Sequence, residues 1–174
     1  MLSQLSQGIS GFFLFVAGWL SPATDEFSLH FDEPKQTASA WQCAFELQGS
    51  FDPRLSDIVD AGIPLLVSVT VKQPEGRSAH MIRVLQYDAI KMTYTYSDSL
   101  SGKVVCSKSY SFINTALHDF RKFNLEFPRT ETVTALSGEM IILPSRVPRL
   151  GRKIDLQVLF GGNRIVGQYP DTGR

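Results

Sequence analysis

The chain has 174 residues, 43% hydrophobic and 20% charged, which suffices for one domain with its own core and excludes a disordered or collagen-like polymer. Lysine plus arginine and aspartate plus glutamate both number 17, so no global field draws the protein to nucleic acid. The distribution is uneven, with eight acids and two bases over residues 24–60 but two acids and six bases over residues 140–174.

No charged side chain occurs in residues 1–24, and "GISGFFLFVAGWL" forms a 13-residue apolar run before "SPA". A short apolar run followed by a small-x-small triplet is the pattern of a secretory signal, here cleaved after Ala23. It is also shorter than a helix spanning about 30 Å of hydrocarbon. Against cleavage, "MLSQLSQ" contains no Lys or Arg, and extension back to Leu2 gives 19 uncharged residues that suit an uncleaved anchor. A third reading makes the segment a buried strand or helix. The expectation is a signal peptide or N-terminal anchor over residues 1–23 and a single β-rich domain over 24–174. The protein is then exported, either periplasmic or anchored in the inner membrane and facing the periplasm.

"FSLHF" alternates weakly and predicts an edge strand. In "WQCAFELQ" Trp41, Cys43, Phe45 and Leu47 share one side, as in a half-buried strand. "FDPRLSDIVDAGIPL" predicts a short helix: Asp52 as N-cap, Pro53 in the first turn, Leu55, Ile58 and Val59 on one face, and Gly62 and Pro64 to end it. From Leu65 the period changes to two, so that "LLVSVTV" and "HMIRVLQY" predict a hairpin. "IKMTYTYS" predicts a strand with Ile90, Met92, Tyr94 and Tyr96 inward. "VVCSKSYSF" predicts another with Val104, Cys106, Tyr110 and Phe112 on one side. "SFINTALHDFRKFN" predicts the one helix of medium length, over residues 113–123. Its stripe is Ile113, Ala116, Leu117 and Phe120, and Ser111 or Asn114 is its cap. Strands are expected again near residues 130–143 and 153–160, with "GGNR" turning into "IVGQY". Many closely spaced strands without βαβ alternation predict a mainly β, antiparallel sandwich-like fold with one short and one medium helix.

Cys43 and Cys106 are the only cysteines, which excludes thiolate metal centres. Both are expected on core-facing strand positions. A disulfide would contribute about 4 kcal/mol by loop closure; the alternative is two reduced, buried thiols packing as small hydrophobes.

"FELQGSFDPRLSDIVDAGIPLLVSVTV", "LQYDAIKMTYTYSD" and "SYSFINTALHDF" resemble the exported bacterial family known as domain of unknown function 4390, over most of residues 45–125. The resemblance implies an N-terminal export signal and a role in envelope sensing beside a membrane sensor kinase. It brings no catalytic residues.

His30, His80 and His118 fall in three different elements, and no nucleophile elbow, zinc-protease, P-loop or dinucleotide motif is present. The pairs Asp57/Asp60 and Asp119/Glu126 read as helix-surface charges. No catalytic, cofactor or metal residue is assigned. Two stretches suit contacts. "PSRVPRLGRK", with Arg146, Arg149, Arg152 and Lys153, fits an anionic membrane surface or an acidic partner, or else a solvated connection. Tyr87, Tyr94, Tyr96 and Tyr110 line a groove or close the core with their hydroxyls at its rim. The functional expectation is a non-catalytic periplasmic interaction domain for an envelope protein. The alternatives are a carrier of an apolar ligand or lipid between the sheets and an accessory to a membrane sensor kinase.

Export with cleavage predicts that the intact mass of protein recovered from envelopes corresponds to a chain starting at Thr24. A membrane-bound chain that retains Met1 would establish the anchor instead.

Overall fold

Period-two stretches become strands wherever a second apolar surface is available to cover their inner face. The computed structural model describes residues 27–74, 76–128, 133–147, 152–162 and 164–170. Its strands are β1 (Ser28–Phe31), β2 (Lys35–Gln36), β3 (Ala40–Gln48), β4 (Leu65–Lys72), β5 (Ser78–Asp88), β6 (Thr93–Leu100), β7 (Lys103–Tyr110), β8 (Lys122–Pro128), β9 (Leu136–Leu143), β10 (Ser145–Arg146), β11 (Lys153–Ile154) and β12 (Arg164–Tyr169). The helices are α1 (Arg54–Asp60) and α2 (Ile113–Phe120), with a 3-10 turn at Gln157–Phe160.

The larger sheet runs β12-β9-β4-β5-β6-β7, antiparallel throughout. In the smaller sheet β3 is central, with β1 and β2 on one edge and β8 on the other. The result is the expected antiparallel sandwich. Val67, Val69, Val71, Met81, Leu85 and Met140 of the larger sheet pack in one core with Cys43, Phe45, Leu47, Phe123 and Leu125 of the smaller. Phe31, Phe45 and Phe123 lie in register across the smaller sheet, their rings stacked 4.8 and 5.1 Å apart.

Both helices cross between the layers at one end of the sandwich. The first joins the end of β3 to the start of β4, and the second joins β7 to β8. The Asp52 carboxylate accepts the Arg54 amide at 2.9 Å and also binds the Arg54 side chain. Gly62 follows α1 with φ +81° and nothing near the position of a side chain, as a left-handed helix terminator requires. The junction that launches β4 is a corner of the scaffold.

Several expectations are corrected. The strand expected from Ile90 begins only at Thr93, because Asp88 Oδ1 accepts the amides of Ile90 and Lys91 and Met92 takes φ 51°. A four-residue turn replaces the first two strand pairs, and Ile90 and Met92 are exposed. In β7 a bulge at Val105 shifts register, so that Cys106 faces Asp98 while Val104 pairs with Ser99 and is exposed. Phe112 lies outside the strand, at the cap of α2, where neither Ser111 nor Asn114 supplies a capping bond. The second helix stops at Phe120, and "KFNLEFP" is instead β8, with Phe123, Leu125 and Phe127 buried. Residues 157–160 form a 3-10 turn in place of a strand. The expected segment over 1–23, Arg149 and residues 130–132 lie outside the described residues.

Two glycines permit close approach between the layers. A side chain at Gly167 would meet the Leu29 carbonyl oxygen at 1.9 Å, and one at Gly138 would meet the Phe31 ring at 2.4 Å. In Gly62→Ala only the backbone resists, so a loss of about 1 kcal/mol is expected. Gly167→Ala must push β1 off β12, and thermal unfolding should show the larger loss of stability. Equal shifts in Tm would mean that the contact of β1 with β12 is not tight.

Candidate functional site

The side of the sandwich between β7 and β8 is open. Among the described residues no strand pairs with the outer edge of β7, and β8 pairs only with β3. Between the two edges runs a groove of about 350 Å³ whose lining includes Arg83, Asp98, Cys106, Lys108, Lys122 and Asn124.

Its floor is a buried ion pair. Arg83 follows the inward alternation of β5, between Met81 and Leu85, and pairs in register with Asp98 of β6. Its Nε and Nη2 donate to the two Asp98 carboxylate oxygens at 2.5 and 2.6 Å. Its Nη1 donates to the carbonyls of Phe120 and Lys122 at 2.8 and 2.6 Å. The guanidinium lies 4.1 Å from the Phe123 ring and 4.6 Å from that of Tyr96. A planar, permanently charged fork suits this position because it can bind a carboxylate bidentately and two carbonyls at once. One of those carbonyls ends α2, where no intrahelical donor remains.

Polar side chains rim the groove. The Tyr110 hydroxyl donates to Asp119 Oδ2 at 2.6 Å and Lys108 Nζ stands 3.8 Å from the same oxygen. The Tyr110 hydroxyl holds the Asp119 carboxyl below its usual range. Burial, and then the bond to Asp119, pushes the Tyr110 phenol up. Tyr94 donates to Asp60 at 2.7 Å, and that bond raises its phenol to about 12. These hydroxyls sit at the rim of the core, while Tyr96 is buried and Tyr87 packs on Tyr94 with ring centroids 4.9 Å apart.

The thiols are free. Cys43 is buried in β3 and Cys106 half-buried on β7. Burial pushes the Cys43 thiol up to about 11, which leaves it unreactive at neutral pH. Arg146 and Lys153 face each other across the β10–β11 pair, with Arg152 beside them, all exposed.

The histidines stay apart. His80 bonds Ser68 at 2.9 Å on the outer face of the larger sheet, His118 accepts from Lys122 at 2.8 Å, and His30 is exposed on β1. Among the described residues no three His, Cys, Asp or Glu side chains gather as a metal site would require. A second depression, of about 450 Å³, lies between the helices and contains Asp52, His118 and Arg121. There Asp52 is engaged by Arg54, and Arg121 lies over the Phe51 ring at 4.2 Å.

Sequence reading did not find the Arg83–Asp98 pair. Its signal was one charged residue in register with inward apolar neighbours on each of two adjacent strands.

The fold and this open side define an antiparallel β-sandwich with a free strand edge above a buried ion pair. No protein-family model, curated protein or solved structure matches the chain.

Removing one partner of the pair strands a buried charge, so Arg83→Met and Asp98→Ala should each cost about 3–5 kcal/mol in denaturant unfolding. Arg83→Met combined with Asp98→Leu should recover much of that loss. Additive losses in the double variant would show that the two side chains do not act as a pair.

Proposed function

We propose that the protein is a non-catalytic domain of the bacterial cell envelope that binds another protein by strand addition at β7. The observation that carries this reading is the edge of an eight-residue strand with which no described strand pairs, with Val104 and Val105 exposed along it. An unpaired edge offers a row of backbone donors and acceptors to an extended segment. Lys103 and Lys108 on the strand and Lys122 across the groove make this side cationic. Two copies of such an edge repel each other, while an acidic extended segment is attracted.

The export pattern of residues 1–23 and the resemblance to domain of unknown function 4390 support the envelope location. An accessory role beside a sensor kinase is one form that such binding would take. The carrier reading has less support, because aliphatic and phenylalanine side chains of both sheets occupy the interlayer space where a ligand would lie.

A photo-crosslinking residue at Val105 should capture a discrete protein in intact envelopes, whereas one at Gln86, exposed on the outer face of β5, should not. Lys103→Glu with Lys108→Glu should lower the yield at position 105 severalfold. Equal capture at the two positions, or a yield indifferent to the lysines, would remove the support for binding at β7.

A further inference from the structure

The antiparallel register places several otherwise unrelated features at one end of the sandwich. Leu65 of β4 pairs with Leu85, Asp88 with Thr93, Tyr94 with Tyr110, and Leu66 with Leu143. The β5–β6 turn, Phe112 after β7, and the β10–β11 pair after β9 therefore share the end crossed by both helices. Ser28 pairs with Gln48, which leads into α1, so the described chain also enters at this end. The uncharged segment of residues 1–24 is separated from that entry only by Asp25 and Glu26.

Among the described residues, this end presents the most exposed large apolar side chains. Ile90 is 95% exposed, Phe112 73% and Met92 70%, the three highest values for large apolar side chains among the described residues. Single exposed apolar residues are ordinary, but a group on adjacent loops marks a contact surface. The β5–β6 turn is held in shape by the Asp88 carboxylate, and Met92 occupies the left-handed region, which L-residues seldom adopt. Lys91 lies between the two apolar residues in the turn, 3.8 Å from Asp88 Oδ2, and Arg146 and Lys153 lie on the β10–β11 pair, with Arg152 beside it, at the same end. Of the acids on this end, Asp88 bonds within the turn, Asp60 accepts from Tyr94 and Asp155 accepts from the Gln157 amide, while Asp57 is exposed on α1.

We propose that this end is a membrane-contact surface: Ile90, Met92 and Phe112 insert into the interfacial region of a lipid bilayer, with the neighbouring bases over its headgroups. Protruding apolar tips flanked by long cationic side chains match the layering of that region, with hydrocarbon below and anionic headgroups above. The position of the chain entry argues for lipid over protein. If residues 1–24 engage the bilayer, the few residues before Phe27 hold this same end against it, and β7 stays free along the side. The proposal takes from the envelope reading only the presence of a membrane and does not depend on a partner at β7.

The test uses the full 1–174 chain reconstituted in phosphatidylethanolamine–phosphatidylglycerol vesicles, some with brominated acyl chains. Tryptophan replaces either Ile90 at this end or Lys103 at the opposite end of β7. With the signal of the parent chain subtracted, bromolipid should quench Ile90→Trp at least about twofold more than Lys103→Trp. Adding Phe112→Ser should reduce the quenching at position 90. Ile90 makes no core contact, and an unchanged Tm shows that each variant is folded. Equal, weak quenching at both positions overturns the proposal. So does an unquenched position 90 that photo-crosslinks to a protein in intact envelopes, which would make this end a protein-docking surface.

Discussion

The buried guanidinium of Arg83 is the interaction on which the two layers depend at their open side. Elsewhere the sandwich is closed by apolar side chains, which hold without direction. Between β7 and β8 no such seal exists, and water would reach the core along the gap. Arg83 fills that position with directional contacts: both oxygens of Asp98 in its own sheet, the carbonyls of Phe120 and Lys122 where α2 gives way to β8, and ring faces from both layers. A buried charge is expensive unless its donors are matched, and matched donors also specify geometry. The same contacts that offset desolvation tie the end of the helix and the start of β8 to the larger sheet.

The opposite side of the sandwich is joined by a different means. There β1 lies against β12 and β9 at two positions that lack side chains, Gly167 and Gly138, with the Leu29 backbone and the Phe31 ring in the space a methyl group would need. The stacked rings of Phe31, Phe45 and Phe123 then carry the smaller sheet from this tight edge across to the open one. One edge is thus close-packed backbone to backbone, and the other is bridged by the Arg83 side chain, which reaches from the larger sheet to the carbonyls of Phe120 and Lys122. A partner strand would meet less steric resistance at the bridged edge, where the backbone is accessible and the groove beneath it is already polar.

The two proposed binding surfaces lie where the scaffold leaves groups unmatched among the described residues. The β7 edge has unpaired backbone with cationic side chains, which favours an extended acidic segment over a second copy of the chain. The helical end has exposed apolar side chains, together with bases and the entry of the described chain. The two surfaces are a side and an end of one body, so occupation of the second leaves the first accessible.

Local chemistry in the sequence determined much of this protein. Alternation identified β3, β4 and β5, the Asp52–Pro64 pattern identified α1 and its terminator, and their density without βαβ units implied an antiparallel sandwich. It misplaced elements where two local signals overlapped. Phe120 closes a helical stripe while Phe123, Leu125 and Phe127 open a strand, and long-range contacts mark the change: Arg83 to the carbonyls of Phe120 and Lys122, and the Leu47 amide to the Arg121 carbonyl. Likewise Ile90 and Met92 continue the alternation of Tyr94 and Tyr96, but the Asp88 carboxylate captures the turn first. The bulge at Val105, the pairing of Arg83 with Asp98 and the meeting of distant loops at one end depend on which strands become neighbours. Those are long-range choices, made by burial and register across the whole domain, and no window of sequence contains them.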